Sequence, residues 1–333
     1  MTVESGVLGR LLAELPGPDR AAADQVAARA ATVLRPAGAF ARLDAVAAWL
    51  AGWQGTTTPR VDRPHVAVFA ADHGVAAEGV SAYPAEVTAA MAEAIRSGVA
   101  TVSVLAREVG AILELVDLGV GRPTGNIRVT DAMGCDEFDA AAGAGEAAVE
   151  AVNADLLVVG EIGIGNTTAA AAVAAAVLGG AAGDWVGPGT GVVGAALARK
   201  CDVVQAALDR VGTVSPLEAL RRLGGRELAA MAGAVAAARR RRLPVVLDGF
   251  IATAAVAPLA VARPGSLDHC LAGHCSAEPG HQRALETLGL DPLMRLDLRL
   301  GEGSGALVAV PIIRMAAAAV TDVATFEEWG LQR

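Results

Sequence analysis

A chain of 333 residues with a formal charge of −9 at pH 7 lacks the basic footprint of a nucleic-acid binder, and its length allows about two domains around a large core. Hydrophobic residues make up 53% of it, but much of that is alanine, which favours helix without driving membrane insertion. The two longest apolar stretches, 244–262 and 305–320, are broken by Asp248, Gly249 and prolines and by Arg314, so no membrane span is expected.

Residues 1–60 alternate Ala-rich amphipathic stretches with breaks at Pro16-Gly17-Pro18, Pro36-Ala37-Gly38 and 52–59. They predict a helical N-terminal section. The first residues include Glu4 and Arg10 and show no charged-then-apolar leader pattern, so a cytoplasmic location is the expectation. Four short Val- and Ile-rich runs follow, at 65–71, 111–116, 154–159 and 243–247, each of the kind that forms a buried parallel strand. They end in polar or glycine-rich turns: Asp72-His73-Gly74, Asp117-Leu118-Gly119, residues 160–168, and Asp248-Gly249. Strand, turn and helix in succession indicate an α/β sheet whose ligands collect at the strands' carboxyl ends.

After the first strand, His73 is either an acid/base group or a partner for nearby backbone. Tyr83, the only tyrosine, sits in Val80-Ser81-Ala82-Tyr83-Pro84, where a ring suits stacking on a planar ligand. Residues 84–97 read as a helix with Pro84 at its first position and Val87, Met91 and Ile95 on one face.

The turn Gly160-Glu161-Ile162-Gly163-Ile164-Gly165-Asn166-Thr167-Thr168 joins a strand to an Ala-rich helix. Backbone N–H groups there, with the two threonine hydroxyls, form an anion site. Asn166 stands where a P-loop needs lysine, and Thr168 where a dinucleotide fingerprint needs its third glycine, so a monophosphate fits better. A second glycine turn, 187–191, precedes Lys200, a candidate for the missing positive charge. Arg239 to Arg242 reads as a basic helix C-terminus.

The cysteines, at 135, 201, 270 and 275, form no paired framework and are read as thiols. His269, Cys270, His274, Cys275 and His281 match no zinc spacing, so no metal is assigned; Ser276 in this stretch is a possible phosphate contact. Finally, Leu300-Gly301-Glu302-Gly303-Ser304-Gly305 holds one carboxylate between glycines. It is either a presented acid or base, or a helix N-terminus with a favourable charge.

Together, residues 70–75, Val80-Ser81-Ala82-Tyr83-Pro84 with Glu86-Val87-Thr88, residues 160–168, Leu247-Asp248-Gly249-Phe250, residues 276–281 and residues 299–305 resemble the nicotinate-nucleotide:dimethylbenzimidazole phosphoribosyltransferase family. The resemblance implies transfer of phosphoribose from nicotinate mononucleotide to 5,6-dimethylbenzimidazole or a related base, without a cofactor, by a homodimer. It implies Glu302 as general base, and Ser81, Tyr83, Ile162 and Leu300 around the acceptor base. Glu161, Gly163, Gly165, Asn166, Thr167, Lys200 and Ser276 then surround ribose and phosphate. Ala85 and Ala90 stand where family members often have glutamine, which leaves the acceptor open and admits a second reading, a phosphoribosyl-ligand binder with altered or lost acceptor activity. The expected architecture is α/β, with a three-layer, mostly parallel Rossmann-like sheet in residues 61–309 and a small helical domain built from 1–60 and 310–333.

Overall fold

A computed structural model describes residues 3–331. The expected helical section includes residues 1, 2, 332 and 333, which lie outside the described residues. Five parallel strands, β1 (Pro64–Ala70), β2 (Ile112–Asp117), β3 (Leu156–Ile162), β4 (Val245–Leu247) and β5 (Cys270–Ala272), run in the order β2-β1-β3-β4-β5. A second, two-stranded parallel sheet joins β6 (His274–Cys275) to β7 (Met294–Arg295).

The period of two along each strand builds the three layers. Ala67 and Phe69 of β1, Leu157 and Val159 of β3, and Val245 and Leu247 of β4 face one helical layer. Val66, Val68, Leu156, Val158 and Val246 face the other. Each such Val or Leu is worth roughly 1.5–3 kcal/mol when fully buried. The first layer includes helices Cys135–Glu150, Asn166–Leu178, Arg226–Arg240 and Phe250–Ala262. The opposite layer includes Val87–Arg96, Thr101–Val109 and Ser304–Thr321.

All four expected strands form, with one correction. β2 is an edge strand whose Ile112 is exposed, because neighbours cover it on one side only. β5 was not expected; its three residues are too few to show a period. The helix expected at 84–97 begins at Val87. Pro84 lies one turn earlier, its carbonyl accepting the N–H of Val87.

Helix Ser304–Thr321 is long and apolar enough to cross a membrane, yet it lies on the sheet. Ala306, Leu307, Val310 and Ile313 are wholly buried there. Arg314, which interrupts the apolar run, donates to the carbonyls of Val61 (2.9 Å) and Val109 (3.0 Å) and ties the helix to two neighbours. Farther along, Val320 packs with Val26 and Ala30 of helix Arg20–Ala30 and with Ala47 and Ala51 of helix Ala41–Gln54. Helix Val7–Ala13 packs on the first layer, the one that holds Cys135–Glu150 and Arg226–Arg240, through Leu8, Leu11 and Leu12. Helix Arg226–Arg240 ends within the basic cluster, and Arg241 Nη2 donates to the carbonyl of Val152.

Candidate active site

The chain turns one way from β1 to β2 and the other way to β3, so the sheet order reverses between β1 and β3. In such sheets the crevice opens beyond the strands' carboxyl ends. A cavity of about 470 Å³ lies there. Its walls come from the ends of β3 (Glu161 to Ile164), β4 (Asp248 to Ile251) and β5–β6 (His274 and Ser276), from Val87, Thr88 and Met91, and from Arg299 to Glu302.

Glu302 is 3% exposed. Its φ is 64°, between Gly301 at 89° and Gly303 at 84°, so three successive residues take the left-handed conformation. That geometry costs a non-glycine residue of order 1 kcal/mol or more. The surroundings hold it in place. Glu302 N donates to the carbonyl of Glu161 at 3.1 Å, and Gly303 N donates to Asp248 Oδ2 at 3.2 Å. Gly160 must lack a side chain, because a Cβ there would overlap the backbone of Glu302. Burial raises the Glu302 carboxyl above the ordinary glutamate range and nearby Asp248 adds to this, while the N–H of Val102, 3.4 Å from Oε2, opposes it. The result is a carboxylate suited to taking a proton.

Glu161 is fully buried, and its pKa is raised well above the ordinary value, first by desolvation and then by Asp248 and Glu227. Its Oε2 accepts from Asn166 Nδ2. Gly163 and Gly165 let the turn pass close to His73, and Gly165, at φ 96°, precedes the helix that Asn166 starts. Ile164 N donates to Thr88 Oγ1 at 3.1 Å, which fastens the turn to the facing helix.

Lys200 is wholly buried, unlike the solvated lysine that is the commoner state. Its Nζ donates to Thr167 Oγ1 and to the carbonyl of Gly187, each at 2.9 Å, so it braces both glycine turns from beneath the cavity lining. Desolvation lowers its pKa to about 8, and the Glu278 charge partly offsets this. Glu278 in turn accepts the N–H of Gly189 at 2.7 Å.

Tyr83, Ile162, Leu300, Glu161, Gly163, Asn166, Thr167, Ser276 and Glu302 therefore share one cavity. Ser81, Gly165 and Lys200 do not line it. Ser81 Oγ accepts the N–H of Tyr83 at 3.1 Å and shapes the loop. Asp248, His274, Glu278, Thr88 and Met91 also line the cavity, although none of them is among the contacts expected from the sequence. Ala85 and Ala90 are exposed and off the wall; at helical spacing Val87, Thr88 and Met91 face the cavity, and residue 90 is turned away. His73 lies beneath Gly163, its Nε2 2.5 Å from Glu227 Oε1, both buried.

The cysteine and histidine stretch is dispersed into separate roles. His269 Nε2 meets the carbonyl of Val235 at 2.9 Å, and burial pushes this ring's pKa down to about 3. Among the described residues, no group of three or more His, Cys, Asp or Glu gathers as a metal cluster.

A sequence model described as a phosphoribosyltransferase matches residues 15–331. The chain is 53% identical over 319 residues to a nicotinate-nucleotide–dimethylbenzimidazole phosphoribosyltransferase of Cereibacter sphaeroides, covering 95% of this chain and 94% of that one. It is 52% identical over 324 residues to the enzyme of the same name from Novosphingobium aromaticivorans, covering 96% and 95%. The crystal structure of the Thermus thermophilus enzyme superimposes with a TM-score of 0.89 at 40% identity, over 95% of this chain and 99% of that one. With this agreement along nearly its whole length, the chain belongs to the nicotinate-nucleotide–dimethylbenzimidazole phosphoribosyltransferase family, enzymes of the pentosyltransferase class.

Proposed function

We propose that this chain transfers phosphoribose from nicotinate mononucleotide to 5,6-dimethylbenzimidazole or a related base, giving α-ribazole 5′-phosphate and nicotinate, with Glu302 as general base. One observation carries the reading: a buried carboxylate with a raised pKa shares a cavity with an anion-type glycine turn and an apolar wall. One nitrogen of the acceptor attacks C1′ of the ribose while Glu302 takes the proton from the other. The C1′–N bond to nicotinate breaks, and its electron pair neutralises the pyridinium nitrogen. Attack from the face opposite the leaving group inverts the β-linkage to α.

In this reading Tyr83, Ile162 and Leu300 hold the acceptor, with Ser81 shaping the loop. Glu161, Gly163, Gly165, Asn166, Thr167, Lys200 and Ser276 hold the phosphoribosyl group. The reading as a binder without acceptor activity drew on Ala85 and Ala90, which lie off the cavity wall. A homodimer and a cytoplasmic location belong to the same proposal. So does a small helical unit of residues 1–60 and 310–333, which the separate cluster around Val320 supports.

The test is to mix the purified chain with nicotinate mononucleotide and a panel of benzimidazoles, purines and phenols. Nicotinate release with ribotide formation is the expected result, and no turnover with any acceptor rejects the proposal.

A further inference from the structure

Ser276 enters the cavity from the turn between β6 and helix Pro279–Leu288, and a single ring anchors it. Its backbone N–H donates to His281 Nδ1 at 2.9 Å, and its Oγ lies 2.9 Å from the same nitrogen. A backbone amide is only a donor, so Nδ1 carries no proton. The ring is therefore neutral and bears its hydrogen on Nε2, which donates to Thr253 Oγ1 at 3.1 Å. Burial agrees with this: the ring is 0% exposed, and its pKa is pushed down to about 3 by desolvation.

The anchoring has a direction. Thr253 belongs to the first turn of helix Phe250–Ala262, so His281 links that helix to the Ser276 turn. A Cβ placed on Gly249, the residue that starts the helix, would lie 4.0 Å from Ser276 Oγ. The hydroxyl thus stands beside the helix N-terminus, where oxygen-rich ligands are favoured. When a ligand oxygen arrives, the hydroxyl hydrogen turns from Nδ1 to that oxygen, and the backbone N–H keeps the ring in place.

We propose that His281 is a positioning residue: it holds Ser276 over the first turn of helix Phe250–Ala262, ready to bind an oxygen of the phosphoribosyl group. The inference rests on the reaction proposed above. His281 does not line the cavity and acts only through Ser276.

The test is steady-state kinetics on His281→Leu, His281→Asn, Ser276→Ala and the Ser276→Ala/His281→Leu double variant, each checked by thermal melting. His281→Leu fills the buried site and removes both ring nitrogens. It is expected to raise the nucleotide KM about tenfold, with the acceptor KM changed about twofold or less. His281→Asn, whose Oδ1 takes the place of Nδ1, recovers most of that loss. In the Ser276→Ala background, His281→Leu adds about twofold or less.

A KM rise of equal size in both backgrounds overturns the proposal, as does a His281→Leu enzyme with an unaltered nucleotide KM. If His281→Leu does not fold, Thr253→Val takes its place, with the same rise expected in the parent and none in Ser276→Ala. A parent chain without turnover rejects the assigned reaction instead. The same comparison, made by calorimetry on nicotinate mononucleotide affinity, then decides the role of His281 alone.

Discussion

Asp248 accepts the N–H of Gly303 at 3.2 Å, so the carboxylate that ends β4 fixes the residue next to Glu302. Its other oxygen takes the N–H of Ala306 at 2.8 Å, and His274 Nε2 lies 3.3 Å from that oxygen. Asp248 thereby caps helix Ser304–Thr321 from outside the helix and holds the left-handed turn against the sheet. Asp248→Ala leaves two buried N–H groups unpaired and is expected to cost roughly 2–4 kcal/mol of stability at about 1–2 kcal/mol for each. A melting temperature within a degree of the parent would show that the turn stands without it.

Gly160 is the second support of the same turn, by what it lacks. A methyl group there would overlap the Glu302 carbonyl, which is backbone and cannot move aside cheaply. Gly160→Ala is expected to lower kcat by about a hundredfold, since a displacement of about 1 Å at a reacting group costs that much. Parent-like turnover would mean that the turn has room to shift.

The strands and their polar ends were legible because a period of two and β-branched runs are local signals. The convergence on Glu302 was not. Asp248 and Gly303 are 55 positions apart, and nothing near either one announces the other. Strand order is equally non-local, so β2 read as buried until the structure placed it at an edge. Lys200 was visible as a charge, but its burial depends on Thr167 and Gly187 reaching it from another turn. The resemblance marks position 90 as a base contact, whereas the helix turns Met91 to the cavity and residue 90 away from it.

Met91 therefore tests the acceptor wall. Met91→Ala enlarges the cavity beside Ile162 and is expected to shift the preference toward bulkier bases by about tenfold in kcat/KM, the scale of a few methylene groups in an apolar pocket. Ala90→Gln, on the exposed side, is expected to change kcat/KM about twofold or less. The opposite ranking would return the acceptor contact to residue 90.

Glu161 gives a pH signature in stability. Its pKa is raised in the folded chain, so the unfolded chain loses this proton first as pH rises. The stabilising contribution is complete below the ordinary glutamate value of about 4.5 and is lost as pH climbs through the raised folded value. Glu161→Gln keeps an amide of similar shape and is expected to flatten this decline. A melting temperature that falls with pH as steeply in the variant as in the parent would show that another group titrates.

Lys200 is expected to set the alkaline side of activity. Its ammonium has a pKa of about 8, so the charge bracing both glycine turns is present below that pH and lost above it. The nucleotide KM is expected to rise as pH passes about 8, with the acceptor KM much less affected. An unchanged nucleotide KM up to pH 10 would separate Lys200 from phosphoribosyl binding.

The most direct measurement is the turnover of Glu302→Gln with nicotinate mononucleotide and 5,6-dimethylbenzimidazole, alongside calorimetric binding of the nucleotide. The amide keeps the shape of the side chain and cannot take the acceptor's proton. Nucleotide affinity should be retained and kcat should fall by at least ~10²-fold, the usual range for losing a general base. Turnover near that of the parent would contradict the account and remove Glu302 from the chemistry.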